Sequence, residues 1–103
     1  MSYKDISVSE FKEGIDTNPN SVIIDVRTLE EIEESYIENH IAINIMDASF
    51  LEKIEELDKS KAYYIYCRSG NRSGHACRIM ASRGFGELYN LAGGIIAWDN
   101  QFA

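Results

Sequence analysis

The sequence predicts an α/β fold with a central, mainly parallel five-stranded sheet and helices on both faces. Apolar β-branched or aromatic runs alternate along the chain with stretches of helical period, which implies crossover connections between parallel strands. Two of those runs, Ser21-Val22-Ile23-Ile24-Asp25-Val26 and Ala62-Tyr63-Tyr64-Ile65-Tyr66, are almost continuously apolar, as strands covered on both faces are. With 103 residues, one proline and 45% hydrophobic content, the chain has material for one modest core, and residues 1–103 are expected to form one domain.

Taken in order, residues 3–6 form a short extended start, and Ser7-Val8-Ser9-Glu10 has the pattern of a capping box. Val8, Phe11 and Ile15 give the helix that follows one apolar face, and Thr17-Asn18-Pro19-Asn20 turns the chain into the 21–26 strand. Thr28-Leu29-Glu30-Glu31 is a second capping box, opening a helix over 29–35 with Leu29, Ile32 and Tyr36 inward and its glutamates toward water. Asn39-His40-Ile41 turns into a short strand over 42–45. A helix over 47–57 then directs Phe50, Ile54 and Leu57 inward, and Asp58-Lys59-Ser60-Lys61 leads into the 62–66 strand. Ser73 reads as the N-cap of a helix over 73–83 with Cys77, Met80 and Ala81 on its apolar face. Gly84-Phe85-Gly86 closes that helix, residues 87–91 are the last strand, and Ile95-Ile96-Ala97-Trp98 begins a final helix after the turn Ala92-Gly93-Gly94. No internal repeat or low-complexity tract interrupts this order.

The formal net charge of -7 argues against nucleic acid as a partner. No segment approaches the roughly 20 apolar residues that cross a bilayer, and Met1-Ser2-Tyr3-Lys4-Asp5 lacks the apolar core of a signal peptide, so no membrane association and a cytoplasmic location are expected. Charge is unevenly distributed. Residues 1–60 hold fifteen acids against five bases, whereas residues 61–103 hold two acids, Glu87 and Asp99, against Lys61, Arg68, Arg72, Arg78 and Arg83. An anionic substrate is drawn to the second part. The two cysteines lie ten residues apart, one at a loop start and one on a helix face, so a structural disulfide is not expected and Cys77 reads as a small buried hydrophobe. His40 and His75 do not combine with them in a metal-ligand spacing, and no metal is predicted.

The chemistry concentrates in Cys67-Arg68-Ser69-Gly70-Asn71-Arg72, between the central apolar strand and the helix expected from Ser73. The first N–H groups of a helix are unpaired and carry about half a positive charge, which stabilises an anion. Arg68 and Arg72 add permanent charge, while Gly70 and Asn71 accept the left-handed backbone that turns successive N–H groups toward one centre. Cys67 is therefore expected to ionise below the free-cysteine value of about 8.5 and to act as a nucleophile near neutral pH.

The run Cys67-Arg68-Ser69-Gly70-Asn71-Arg72-Ser73 resembles the active-site loop of rhodanese-domain sulfurtransferases. Two further blocks, Asp25-Val26-Arg27-Thr28 with Glu31 and Tyr89-Asn90-Leu91-Ala92-Gly93-Gly94-Ile95-Ile96-Ala97-Trp98, are similar to motifs of the same family in the same order. The resemblance implies a rhodanese-like fold and a persulfide mechanism without metal or organic cofactor. In it Cys67 takes the outer sulfur of thiosulfate or another sulfane-sulfur donor and hands it to cyanide, a thiol or a protein acceptor. Residues 68–73 then bind the substrate and the persulfide, Arg68 and Arg72 attract the sulfonate-like end, and Asp25 and Arg27 brace the loop backbone or Arg72 through ion pairs.

One block departs from the family pattern. The usual Gly-His-Ile-x-Gly-Ala-x-Asn-Ile stands here as Asn39-His40-Ile41-Ala42-Ile43-Asn44-Ile45, with asparagine for glycine and two residues fewer after Ile41. Asparagine tolerates a left-handed backbone, and His40 is expected to be structural. Two other functions fit a cysteine in such a loop: a cysteine-dependent phosphatase or arsenate reductase, and a non-catalytic binding module of the same fold. Four residues separate Cys67 from Arg72 where a phosphatase-type loop has five, and the chain keeps the cysteine that such binding modules often lack.

Overall fold

The structure is a computed structural model and describes residues 2–102. Met1, the first residue of the segment read above for a signal peptide, lies outside them. Five parallel strands, β1 (Lys4–Ile6), β2 (Ser21–Asp25), β3 (His40–Ala42), β4 (Ala62–Tyr66) and β5 (Glu87–Leu91), form one sheet in the order β1-β5-β4-β2-β3. The helices are α1 (Val8–Thr17), α2 (Leu29–Glu34), α3 (Phe50–Glu55), α4 (Asn71–Ser82) and α5 (Gly94–Phe102). None is long and apolar enough to cross a membrane.

All five residues of β4 are buried because successive side chains serve two cores. Tyr63 and Ile65 pack with Ile24, Ile54, Cys77, Met80 and Leu88 on the face of α3 and α4. Ala62, Tyr64 and Tyr66 pack with Val8, Phe11, Ile37 and Ile95 on the face of α1 and α5. Phe11 anchors the second core, with Tyr64, Tyr66 and Trp98 meeting its ring edge to face at 5.4, 6.4 and 6.1 Å between centroids.

The order of strands also explains where a ligand can bind. From the neighbours β2 and β4 the chain runs outward in opposite directions, to β3 and to β5, so right-handed crossovers carry α2 and α4 to opposite faces. The crevice between the carboxyl ends of β2 and β4 is thus a topological switch point, the usual ligand position in an open parallel sheet. Cys67 follows β4 at that crevice.

Several boundaries differ from the sequence expectation, each for a local reason. Both capping boxes form, at Ser7 with Glu10 and at Thr28 with Glu31. But α2 spans only six residues and the chain is already extended at Ser35, so it buries Ile32 alone; Ile37 replaces Tyr36 in the core, and Leu29 and Tyr36 are exposed. Helix α3 starts at Phe50 rather than Asp47, because the Asn44 and Asp47 side chains accept bonds from the N–H groups of Met46 and Ser49 and hold the preceding residues in turns. Asn39 takes φ 67°, and the shortened segment after it enters the sheet directly: His40 pairs beside Ile23, and the contact continues through Ile43 N–H to Asp25 O. Its ring Nδ1 lies 2.8 Å from Ile37 O, away from the Cys67 loop.

Candidate active site

Gly70 organises the loop. With φ 106° it sits where only glycine is comfortable, and its N–H turns back to Cys67 Sγ at 3.1 Å. The helix consequently begins at Asn71, two residues before the expected cap. Ser73 lies in its first turn, fully buried, and its hydroxyl reaches Cys67 Sγ at 3.2 Å instead of capping backbone.

These donors decide the state of the sulfur. Cys67 is 1% exposed, and burial alone pushes a thiol's pKa up. The Ser73 hydroxyl and the N–H groups of Ser73, Gly70 and Ser69 outweigh that penalty, so Cys67 ionises below the ordinary thiol value. Cys77 has burial without donors, and its thiol is pushed up to about 12. Ten residues apart, the chain therefore carries one cysteine whose thiolate is stabilised, in the loop, and one whose thiol is not, in α4, both unpaired.

A second ring of contacts holds the donors. Asn90, buried near the end of β5, donates from Nδ2 to Asp5 Oδ1 at 2.9 Å and to Gly70 O at 3.1 Å. That fixes its Oδ1 toward the Ser73 hydroxyl. The hydroxyl has one proton for two acceptors, so it serves Sγ when the sulfur is anionic and Asn90 when the sulfur is protonated. On the other side, the carbonyls of Cys67 and Arg68 accept from Ile95 N–H and Ile96 N–H at 2.9 and 3.2 Å, the first turn of α5. With these carbonyls facing α5, the later loop N–H groups are left to the sulfur.

Of the sequence-predicted site residues, Cys67, Gly70 and Ser73 come together around Sγ. Arg68, Ser69 and Asn71 are exposed on the rim. Arg72 is placed differently from its expected role. Both terminal nitrogens hold the Glu31 carboxylate at 2.7 Å, which lowers the Glu31 pKa to about 2. Glu31 is thus no solvent-facing residue but a strap across the crevice from α2 to α4. Asp25 and Arg27 also depart from expectation. They pair with each other, NH2 to Oδ2 at 2.7 Å, and Arg27 donates onward to Glu31 O and Ser35 O. Among the described residues neither hydrogen-bonds or ion-pairs with the loop or Arg72, and Asp25 acts on Arg72 only as a nearby charge that helps keep it protonated. They fix α2, and through it Glu31. Asn90 escaped the sequence analysis as a site residue, although a polar residue between Tyr89 and Leu91 in an apolar strand was the available signal.

Gly94 was expected only to turn the chain, yet it also permits the close contact between loop and α5. Its φ is 59°, and a Cβ there would lie 2.2 Å from Arg68 O. Gly94→Ala should cost about 2 kcal/mol or more and slow Cys67 alkylation by displacing the loop. Gly86→Ala, where a Cβ meets nothing within 4 Å, is the control in urea unfolding and iodoacetamide kinetics. Equal effects of the two would refute the role given to Gly94. Ser73→Ala removes the donor that stabilises the thiolate, so the pH midpoint of alkylation should move upward. The rate near neutral pH should fall roughly tenfold, the loss of a hydrogen bond to a charged group.

Among the described residues, no group of three or more His, Cys, Asp or Glu side chains is placed to hold a metal ion. A hollow of about 330 Å³ of mixed lining, with Ile15, Ile23 and Trp98 beside Lys12, Asp16 and Glu38, does not include Cys67.

A buried cysteine whose thiolate is favoured by a serine hydroxyl and backbone N–H groups, at the switch point of a parallel sheet, is the arrangement of thiol-dependent group-transfer proteins. Comparison with known proteins gives the family. Residues 7–101 match the family model of the rhodanese-like domain, and the chain is a member of that family. It is 39% identical over 101 residues to "Putative sulfurtransferase YtwF" of Bacillus subtilis, covering 98% of this chain and 95% of that one. A protein named sulfurtransferase from Allochromatium vinosum is 38% identical over 77 residues, covering 75% of this chain and 70% of its own length. The crystal structure of a rhodanese-related protein from Thermoplasma volcanium superposes with a TM-score of 0.83 at 29% identity, over 96% of this chain and 93% of that one.

Proposed function

We propose that the chain is a sulfurtransferase that carries sulfane sulfur as a Cys67 persulfide. The observation that carries this reading is the enclosure of Cys67 Sγ by the Gly70 N–H and the Ser73 hydroxyl at 3.1 and 3.2 Å. Cys67 thiolate attacks the outer sulfur of thiosulfate or of a persulfide donor. A new S–S bond forms, the donor's own bond to that sulfur breaks, and sulfite or a thiolate leaves with the electron pair. The negative charge then sits on the outer persulfide sulfur, toward the loop N–H groups and the N-terminus of α4. Cyanide or a thiol, free or on a protein, attacks that outer sulfur and restores the Cys67 thiolate. Arg68 on the rim draws the anionic donor inward. The reaction needs neither metal nor organic cofactor, neither nucleic acid nor membrane, and it suits a reducing cytoplasm where both thiols stay free.

Donors converging on the sulfur itself favour a bound persulfide over the tetrahedral oxyanion of the phosphatase alternative. The test is intact-mass analysis of the reduced protein after thiosulfate or a small-molecule persulfide, followed by cyanide. The expected result is a gain of one sulfur atom, lost again with release of thiocyanate. Absence of the adduct with both donors, together with phosphatase turnover dependent on Cys67, would overturn the reading.

A further inference from the structure

Two features at the mouth of the loop bear on which donor reaches Cys67. The first is charge. Arg72 lies against Glu31 through both terminal nitrogens, and inside the crevice Arg27 is matched by Asp25. Among the described residues Arg68 alone remains as a loop cation with no ion-pair partner. A dianion therefore meets one uncompensated guanidinium and a carboxylate, not two free guanidiniums. The second is surface. Beside Arg72 lies a hollow of about 360 Å³ walled by Ile45, Met46, His75 and Ile79. Met46 is 74% exposed, the most exposed large apolar side chain among the described residues, and lines this hollow together with Arg72.

We propose that Glu31 and the Met46 hollow determine donor specificity, selecting an organic sulfane-sulfur donor, singly charged and with an apolar body, over inorganic thiosulfate. The inference rests on the sulfurtransferase reading above and narrows its donor class. For an organic thiosulfonate, Cys67 thiolate attacks the terminal sulfur, the bond between that sulfur and the sulfonyl sulfur breaks, and the sulfinate leaves with the electron pair. One negative charge enters with the donor and one departs. The apolar body meanwhile covers Met46, Ile45 and Ile79, a gain unavailable to thiosulfate. Glu31 acts through Arg72, holding a cation that would otherwise turn to a sulfonate, and is a positioning residue.

Benzenethiosulfonate and thiosulfate, with cyanide as common acceptor, test this in wild type, Glu31→Gln and Met46→Ser. The two donors differ in intrinsic reactivity, so the readout is the change in the ratio of their kcat/KM values between variants. Glutamine preserves the Thr28 capping box while removing the charge, and Met46 is exposed, so both variants should fold; thermal unfolding by circular dichroism checks this. Glu31→Gln should raise kcat/KM for thiosulfate roughly tenfold, mainly through KM, and benzenethiosulfonate less, because a freed guanidinium gains a charge-assisted bond to the more highly charged donor. Met46→Ser should lower kcat/KM for benzenethiosulfonate about tenfold and thiosulfate less, by removing the apolar wall without adding a charge. If both variants leave the ratio within about twofold of wild type, the specificity assignment is wrong. If neither donor places sulfur on Cys67 in any variant, the failure is of the sulfurtransferase reading itself, since mass analysis reports loading independently of turnover.

Discussion

Cys67→Ser should abolish sulfur loading, lowering transfer to cyanide by at least about a thousandfold, whereas Cys77→Ala should load one sulfur at close to the wild-type rate. Serine is nearly isosteric and can still accept the Gly70 N–H bond, so circular dichroism and unfolding should show the variant folded. What it lacks is an anion: a hydroxyl in the same cradle stays protonated at neutral pH. Cys77 is the internal control. It lies in α4, directly after the loop, is as thoroughly buried, and has its thiol pushed up to about 12 by burial without compensating donors. The contrast tests whether the loop and its donors, rather than burial, make the cysteine reactive. Sulfur on Cys77, or loading that survives Cys67→Ser, would remove the foundation of the proposed mechanism.

The sheet was legible because its signals are local and strong. Residues 62–66 are apolar throughout, and their alternating side chains fill two cores, so no tertiary detail was needed to place them at the centre. The loop was legible because cysteine, glycine and two arginines within six positions have little use in packing. The straps around the loop were not. Glu31 lies 41 residues from Arg72, and its membership in a capping box gave it a sufficient local explanation. Asn90 and Asp5 lie 85 residues apart and meet only because β1 and β5 are neighbours in the sheet. The start of α4 was misplaced for a related reason. Ser73 has the chemistry of a cap, but a left-handed Gly70 opens the helix earlier and releases the serine hydroxyl to the sulfur. Local propensity locates elements; which polar side chain answers which is decided by strand order.

Arg27→Ala should destabilise the fold by about 3–5 kcal/mol, the range for removing one partner of a buried ion pair. Asp25 is fully buried and Arg27 is 3% exposed. In the variant the Asp25 carboxylate loses bonds from Nε and NH2 and retains the backbone N–H of residue 27, one donor for a buried charge. The loss extends further, because NH1 and NH2 also hold Glu31 O and Ser35 O, carbonyls at the end of a six-residue helix too short to stand alone. Arg27→Lys keeps the charge without the planar fork, and it should fall between alanine and wild type. The comparison is Lys12→Ala, which breaks an exposed pair with Asp16 and should shift stability by no more than about 1 kcal/mol. Urea titration should show the Arg27→Ala midpoint falling at unchanged m-value. Under native conditions the same variant should alkylate Cys67 more slowly, because a loosened α2 no longer presents Glu31 to Arg72 and the loop loses its strap across the crevice. A midpoint shift no larger than that of Lys12→Ala would mean that the pair is incidental, and the line of support from β2 through α2 to the cysteine loop would have to be abandoned.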